Sequence, residues 1–154
     1  MANTYTQLNI HAVFCVQGRE NILDDKLRER IFSYISGTLK NMNLFPLAVN
    51  GFSDHVHVFF ELSPEIAVSK IIQDIKANSS KWINENKLVQ GKFSWQRGYG
   101  AFSYARSQRD TVISYIMNQE NHHKKNTFKE EYLELLRKFD VKYNDQYLFE
   151  FYET

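Results

Sequence analysis

The stretch from Asp54 to Phe60 constrains the fold more than any other. Val56, Val58, Phe60 and Leu62 alternate with His55, His57, Phe59 and Glu61, the period-two signature of a β-strand. Successive strand side chains point to opposite faces. His55 and His57 therefore share a face, two residues apart, and the other face carries branched and aromatic core residues. Two imidazoles on a stiff strand make a preorganised half-site for a metal ion, which needs at least one more ligand from elsewhere. The same pattern also suits two histidines on the solvent side of an amphipathic strand.

The flanking segments supply a frame for that strand. Tyr5 to Val16 reads as a first strand, with Leu8, Ile10, Ala12 and Phe14 alternating with Gln7, Asn9, His11 and Val13. His11 falls on its more polar face, either as a surface residue or as a neighbour of the histidine pair. Gly18 to Asn21 reads as a turn. Asp24 or Asp25 then caps a helix whose core stripe is Leu27, Ile31, Phe32, Ile35, Leu39 and Met42. A second strand runs from about Leu44 to Phe52, with Pro46 marking an edge or a strand start. Ser63-Pro64 opens a second helix that frays near Asn84 to Asn86. Trp95 to Ala105 is a fourth strand. Ser107 or Asp110 caps a third helix running to about Asn126, and Thr127 to about Phe139 forms a last one. The aromatic tail from Lys142 to Thr154 packs as a short strand or an arm.

The order β-α-β-β-α-β followed by helices is the α+β, ferredoxin-like or RRM-like layout, a four-stranded antiparallel sheet with two helices on one face. In that topology the first and third strands are central. His55 and His57 would then sit in the middle of the open face, with the third helix available to cover it. The 154 residues, 43% of them apolar, suit one domain (1–154, core about 5–126, C-terminal helix and tail 127–154). No 18-residue apolar window predicts a membrane helix, and the N-terminus lacks a secretory pattern. Cys15 is the only cysteine. It reads as a small buried residue rather than a nucleophile, and a reducing cytoplasm is the expected location.

A net charge of +1 hides an asymmetry. Residues 76–129 hold ten Lys/Arg against Glu85, Asp110 and Glu120, a net of +7. The rest holds nine against fifteen, a net of −6. One basic face for a polyanion would produce this pattern, as would solvating lysines on helices.

In the third helix, at 100° per residue, Gln119 and His122 fall within about 40° of Tyr115. This polar stripe borders the apolar side formed by Val112, Ile113, Ile116 and Met117. Tyr115 and Gln119 are i, i+4 neighbours. On spacing alone, a tyrosine at a half-buried border can be packing and the glutamine a surface residue.

Two motifs in order carry a resemblance. Asp54-His55-Val56-His57 resembles the HUH motif (histidine, bulky apolar residue, histidine). Ser114-Tyr115-Ile116-Met117-Asn118-Gln119 resembles the Tyr-x-x-x-Gln element of the single-tyrosine HUH transposases of the insertion sequence 200/605 family, which includes the REP-associated tyrosine transposases. Trp95 to Ser103 resembles the family's last core strand, and Asn118 to His123 a frequent continuation of its tyrosine helix. The similarity spans about Tyr5 to Leu136.

The resemblance implies that His55, His57 and Gln119 hold a divalent ion, Mg²⁺ or Mn²⁺. It implies that Tyr115 is the nucleophile, giving a 5′-phosphotyrosine link and a free 3′-OH. It implies single-stranded DNA with hairpins as substrate, and a homodimer in which the tyrosine helix of one subunit completes the histidine site of the other. The basic segment would follow phosphates, and Tyr99, Phe102 or Tyr104 could stack on unpaired bases. The resemblance assigns no role to His122 or His123. Two other functions suit the same frame. One is an RRM-like module that binds single strands through sheet aromatics without a metal. The other is a metal-dependent phosphodiester hydrolase using water.

Overall fold

In the computed structural model, which describes residues 3–18 and 22–152, strands β1 (Asn9–Cys15) and β3 (His55–Glu61) run antiparallel at the centre of the sheet. β2 (Phe45–Gly51) and β4 (Gly100–Tyr104) form the edges, in the order β2-β3-β1-β4. Pro46 thus lies on an edge strand, where the pairing with β3 shifts register between Pro46 and Ala48. The turn expected from Gly18 to Asn21 falls largely outside the described residues.

α1 (Asp25–Asn41) starts at Asp24, whose side chain accepts a hydrogen bond from the Leu27 N–H at 2.9 Å. α1 and α2 (Val68–Glu85) cover one face of the sheet. Ile31, Ile35, Ile71, Ile72 and Ile75 bury against Ala12, Phe14, Val56, Val58 and Phe60. α2 begins later than Ser63-Pro64 suggests. The Ile66 N–H bonds back to the Ser63 carbonyl at 3.2 Å, closing a separate turn. Ala67 is then extended, with φ −71° and ψ 141°, so the helical ladder starts after it.

β4 is also shorter than Trp95–Ala105. Gly98 at φ +83° breaks the strand, and Trp95 makes an isolated bridge with Val16. The third helix divides. α3 (Arg109–Met117) stops at Asn118 and a four-residue α4 (Gln119–His122) follows. At Asn118 ψ is +21°, its side-chain oxygen accepts from Asn121, and Asn50 caps the Ile116 carbonyl at 3.0 Å. Asparagine side chains compete with the helical ladder in this way.

The second face of the sheet is covered twice. Val112 and Ile116 of α3 pack on Ala48 and Phe59. α5 (Phe128–Lys138), capped by the Thr127–Glu130 box, lays Phe128 flat on the His55 ring at 4.0 Å. A Cβ at Gly100 would lie 2.7 Å from the Tyr132 hydroxyl, so this glycine admits α5. The tail is an arm with one 3₁₀ turn at Asp145–Tyr147. Phe149 and Phe151 pack on Phe128 and Tyr132, and Gln96 pairs with both backbone groups of Glu150 at 2.7 and 2.8 Å.

Candidate active site

Strand register places the histidines. Pairing sets Val13 opposite His57 and His11 opposite Phe59, so His11, His55 and His57 all project from the face under α3 and α5. A Cβ at Gly51 would meet the His55 carbonyl at 2.1 Å, so the hairpin leading into the pair closes only around a glycine. All three imidazoles are fully buried.

His55 is oriented by Asp54, 2.8 Å from its Nδ1. The Nδ1–H donates to that carboxylate, which turns Nε2 inward. His57 is oriented by His11, whose Nε2 lies 2.7 Å from His57 Nδ1, with the rings stacked at 5.0 Å. Such partners fix the tautomer and direction of a ligating imidazole. Of the two places open to His11 on sequence grounds, the structure selects the one beside the pair.

Tyr115 and Gln119 approach from α3 and α4. The Gln119 side-chain oxygen lies 3.1 Å from His55 Nε2. The Tyr115 ring stands edge-on to His57 at 5.8 Å between centroids. The four residues singled out from the sequence, His55, His57, Tyr115 and Gln119, thus come together within one chain, despite the break at Asn118.

A fifth residue, missed in the sequence, sits at the centre. Glu131 of α5 is 4% exposed, and its two carboxylate oxygens face different groups. Oε1 lies 3.2 Å from His57 Nε2, 3.4 Å from His55 Nε2 and 3.1 Å from His123 Nε2. Oε2 accepts hydrogen bonds from the Tyr115 hydroxyl and from Gln119 Nε2, the latter at 2.8 Å. His122 Nε2 stands 3.5 Å from Oε2 and makes no hydrogen bond. One signal was available. Glu131 shares a helix face with Phe128, Tyr132 and Leu135, a lone acid on an apolar stripe.

The electrostatics follow from burial. Burial opposes the charge on Glu131, yet the surrounding histidines outweigh it and hold the carboxyl well below its usual range. Burial also pulls His55 down, but hydrogen bonds and charge from Asp54 and Glu131 raise it to about 9. Burial lowers His57 and His11. Burial and the Glu131 charge push the Tyr115 phenol up.

A pH dependence follows for the protein kept metal-free with chelator. The His55 contribution to stability is complete below about pH 6.5 and lost as pH rises through 9. His11 and His57 act oppositely. The unfolded chain takes up protons they refuse, so stability falls as pH drops below 6.5. Calorimetry should find the thermal midpoint highest near pH 6.5 and lower on both sides. A midpoint still rising to pH 9 would contradict the pairing of His55 with Glu131.

The donor set fits a divalent cation. His55 Nε2, His57 Nε2 and Glu131 Oε1 lie within 4.8 Å of one another, and Gln119 adds an amide oxygen. Cis ligands of a small octahedral ion stand ~3 Å apart, close to the 3.1, 3.2 and 3.4 Å separations found here. Two imidazoles with two oxygens suit a hard to borderline ion.

A cleft of about 1160 Å³ between α3 and α5 reaches Tyr115 and Glu131 and is lined also by Tyr104, Ser107, Thr111, His122 and Tyr143. Of the aromatics expected to stack on bases, Phe102 is buried against Phe139 at 4.8 Å, because β4 lies under α5. Tyr104 is half-buried and Tyr99 exposed. Part of the basic segment is also committed. Lys76 donates to the carbonyls of Gln96 and Gly98, and Arg109 binds Asn9, Gln7 and Glu61. Among the described residues no helix is long and apolar enough to cross a membrane.

Known proteins place this architecture. A candidate transposase from Deinococcus radiodurans R1 superposes with a TM-score of 0.62 at 19% identity, over 76% of this chain and 94% of that one. A REP-associated tyrosine transposase bound to a REP hairpin superposes with a TM-score of 0.60 at 13% identity, over 79% and 72%. At these identities the likeness is one of fold. No curated protein sequence matches. The family described as "Transposase IS200 like" matches residues 4–119, a span that holds both histidines, the tyrosine and the glutamine. The chain belongs to the IS200-like transposase family.

Proposed function

We propose that this protein cleaves and rejoins single-stranded DNA at hairpin-bearing ends through a 5′-phosphotyrosine link on Tyr115. The observation that carries the reading is the meeting of half-buried Tyr115 with the buried His55, His57 and Gln119 inside one chain. The similarly folded REP-associated transposase is bound to a hairpin, which supports hairpin DNA as the substrate class here.

In this reading His55 Nε2, His57 Nε2 and the Gln119 oxygen hold Mg²⁺ or Mn²⁺, with Glu131 Oε1 in reach as a further donor. The bound ion supplies Lewis-acid stabilisation of charge on the scissile phosphate. The chain's own residues do the rest. Asp54 and His11 hold the imidazoles in their ligating orientation. Tyr115 Oη, on a residue that lines the α3–α5 cleft, attacks the phosphorus and releases the 3′-OH. The link conserves the energy of the broken phosphodiester, so an incoming 3′-OH reverses the step without a nucleotide cofactor. A reducing cytoplasm suits the free Cys15 thiol.

The test is incubation of hairpin-bearing, end-labelled single strands with Mn²⁺. Label should become covalently attached to the protein. We further propose that all 154 residues act as one unit, since α5 lies beyond residue 119 and supplies Glu131. A homodimer of such chains would carry two complete sites rather than two halves. Mixing Tyr115→Phe protein with His57→Ala protein should therefore restore no labelled adduct. Restoration to a sizeable fraction of the wild-type amount would mean that the tyrosine helix is exchanged between subunits.

A further inference from the structure

The carboxylate of Glu131 divides its work between two oxygens. Oε1 faces the imidazoles of His55, His57 and His123. Oε2 faces away from them, toward the Tyr115 hydroxyl and the Gln119 amide N–H. The Tyr115 proton already points at Oε2. Among the described residues, Glu131 Oε2 is the acceptor that phenol finds. Gln119 holds Oε2 in place from the other side at 2.8 Å, so the acceptor is positioned by the residue one turn from the nucleophile. Glu131 is itself anchored. Phe128 stacks on His55, Tyr132 fills the space left by Gly100, and Leu135 and Leu136 are buried in the main core.

Resting on the phosphotyrosine reading above, we propose that Glu131 is the general base for Tyr115. As the Oη–phosphorus bond forms, the phenolic proton passes to Oε2. The phosphorus–O3′ bond breaks, and O3′ leaves with that bond's electron pair and takes a proton from solvent. In the rejoining step an incoming 3′-hydroxyl oxygen attacks phosphorus and gives its proton to solvent. The phenolate leaves and recovers its proton from Oε2. One proton thus moves between two fixed atoms in each direction. Positioned general bases contribute ~10²–10⁴-fold, and the imidazoles that hold the Glu131 carboxyl well below its usual range set it toward the low end.

The experiment compares wild type with Glu131→Gln in single-turnover adduct formation at saturating Mn²⁺, with saturation verified for each protein by titration. Glutamine keeps the size and can still accept the Tyr115 hydrogen bond, but it cannot take the proton. The expected result is a rate lower by about 100-fold or more. Each protein is then made with a fluorinated tyrosine at position 115, whose phenol ionises at lower pH. The deficit of Glu131→Gln should shrink, because a phenol that gives up its proton more readily depends less on a base. A Glu131→Gln rate near wild type, or a deficit that fluorination leaves unchanged, would overturn the proposal. If Glu131→Gln does not fold, the wild-type background answers the same question. Adduct formation should slow in D₂O more with tyrosine than with fluorotyrosine, and equal slowing in both would overturn the assignment. Absence of any adduct with wild type would instead overturn the underlying phosphotyrosine reading.

Discussion

Tyr115→Phe protein should form no covalent adduct with DNA and should lose strand cleavage by at least about 10⁴-fold, the scale seen when a nucleophile is deleted. The substitution removes one oxygen. The ring keeps its edge contact with His57 and its place against the Ala48–Phe59–Val112–Ile116 cluster. Glu131 Oε2 loses the phenol but keeps the Gln119 N–H. The cost to folding should be about 1 kcal/mol, so a well-folded protein without chemistry is the expected outcome. The metal site should survive as well, because no proposed ligand atom is removed. A hydrolase that used water at the same cation would behave differently. It would keep cleaving after Tyr115→Phe, and its products would never carry protein. Gel analysis of a labelled strand separates the two, since cleavage and covalent attachment are read from one lane.

The second large effect concerns His57. His57→Ala removes a proposed ligand and the atom that Glu131 Oε1 faces at 3.2 Å. It also strips His11 Nε2 of its 2.7 Å partner. His11 Nδ1 has no hydrogen-bond partner among the described residues, so the variant would leave that buried imidazole with both nitrogens unpaired. Loss of a group that merely orients a ligand costs 10–100-fold in metal affinity. Loss of the ligand itself should exceed about 100-fold. The vacated space and broken hydrogen bonds should cost the metal-free protein about 2–4 kcal/mol. Calorimetric titration with Mn²⁺ and thermal unfolding in chelator measure the two parts separately. Wild-type Mn²⁺ affinity in His57→Ala would remove His57 from the ligand set.

The frame of the site was legible because it rests on local periodicity. Alternation in residues 54–62 and the helical stripe from Leu27 to Leu39 are repeated signals, and together they imply the order of the four strands and the central place of β3. Boundaries were less legible where one residue's backbone overrides the pattern. Gly98 at φ +83° cuts β4 short, Ala67 delays α2, and Asn118 splits the tyrosine helix.

His11 could not be placed from sequence, because its neighbours depend on how β1 pairs with β3. A one-residue slip would have sent it to the other face. Glu131 was hidden by its context. Glu130 completes a capping box with Thr127, and a second acid in a first helical turn has a ready explanation in the helix dipole. Only the tertiary placement of α5 over the histidine strand, which needs Gly100 and the Phe128–His55 stack, turns that acid inward.

The most direct measurement is anomalous X-ray scattering from crystals of the wild-type protein soaked in Mn²⁺. The expected result is one strong peak per chain, bonded to His55 Nε2, His57 Nε2 and the Gln119 side-chain oxygen of the same chain, with Tyr115 beside it. A peak elsewhere, or one bridging the histidines of one chain and the glutamine of another, would contradict a complete site within a single chain.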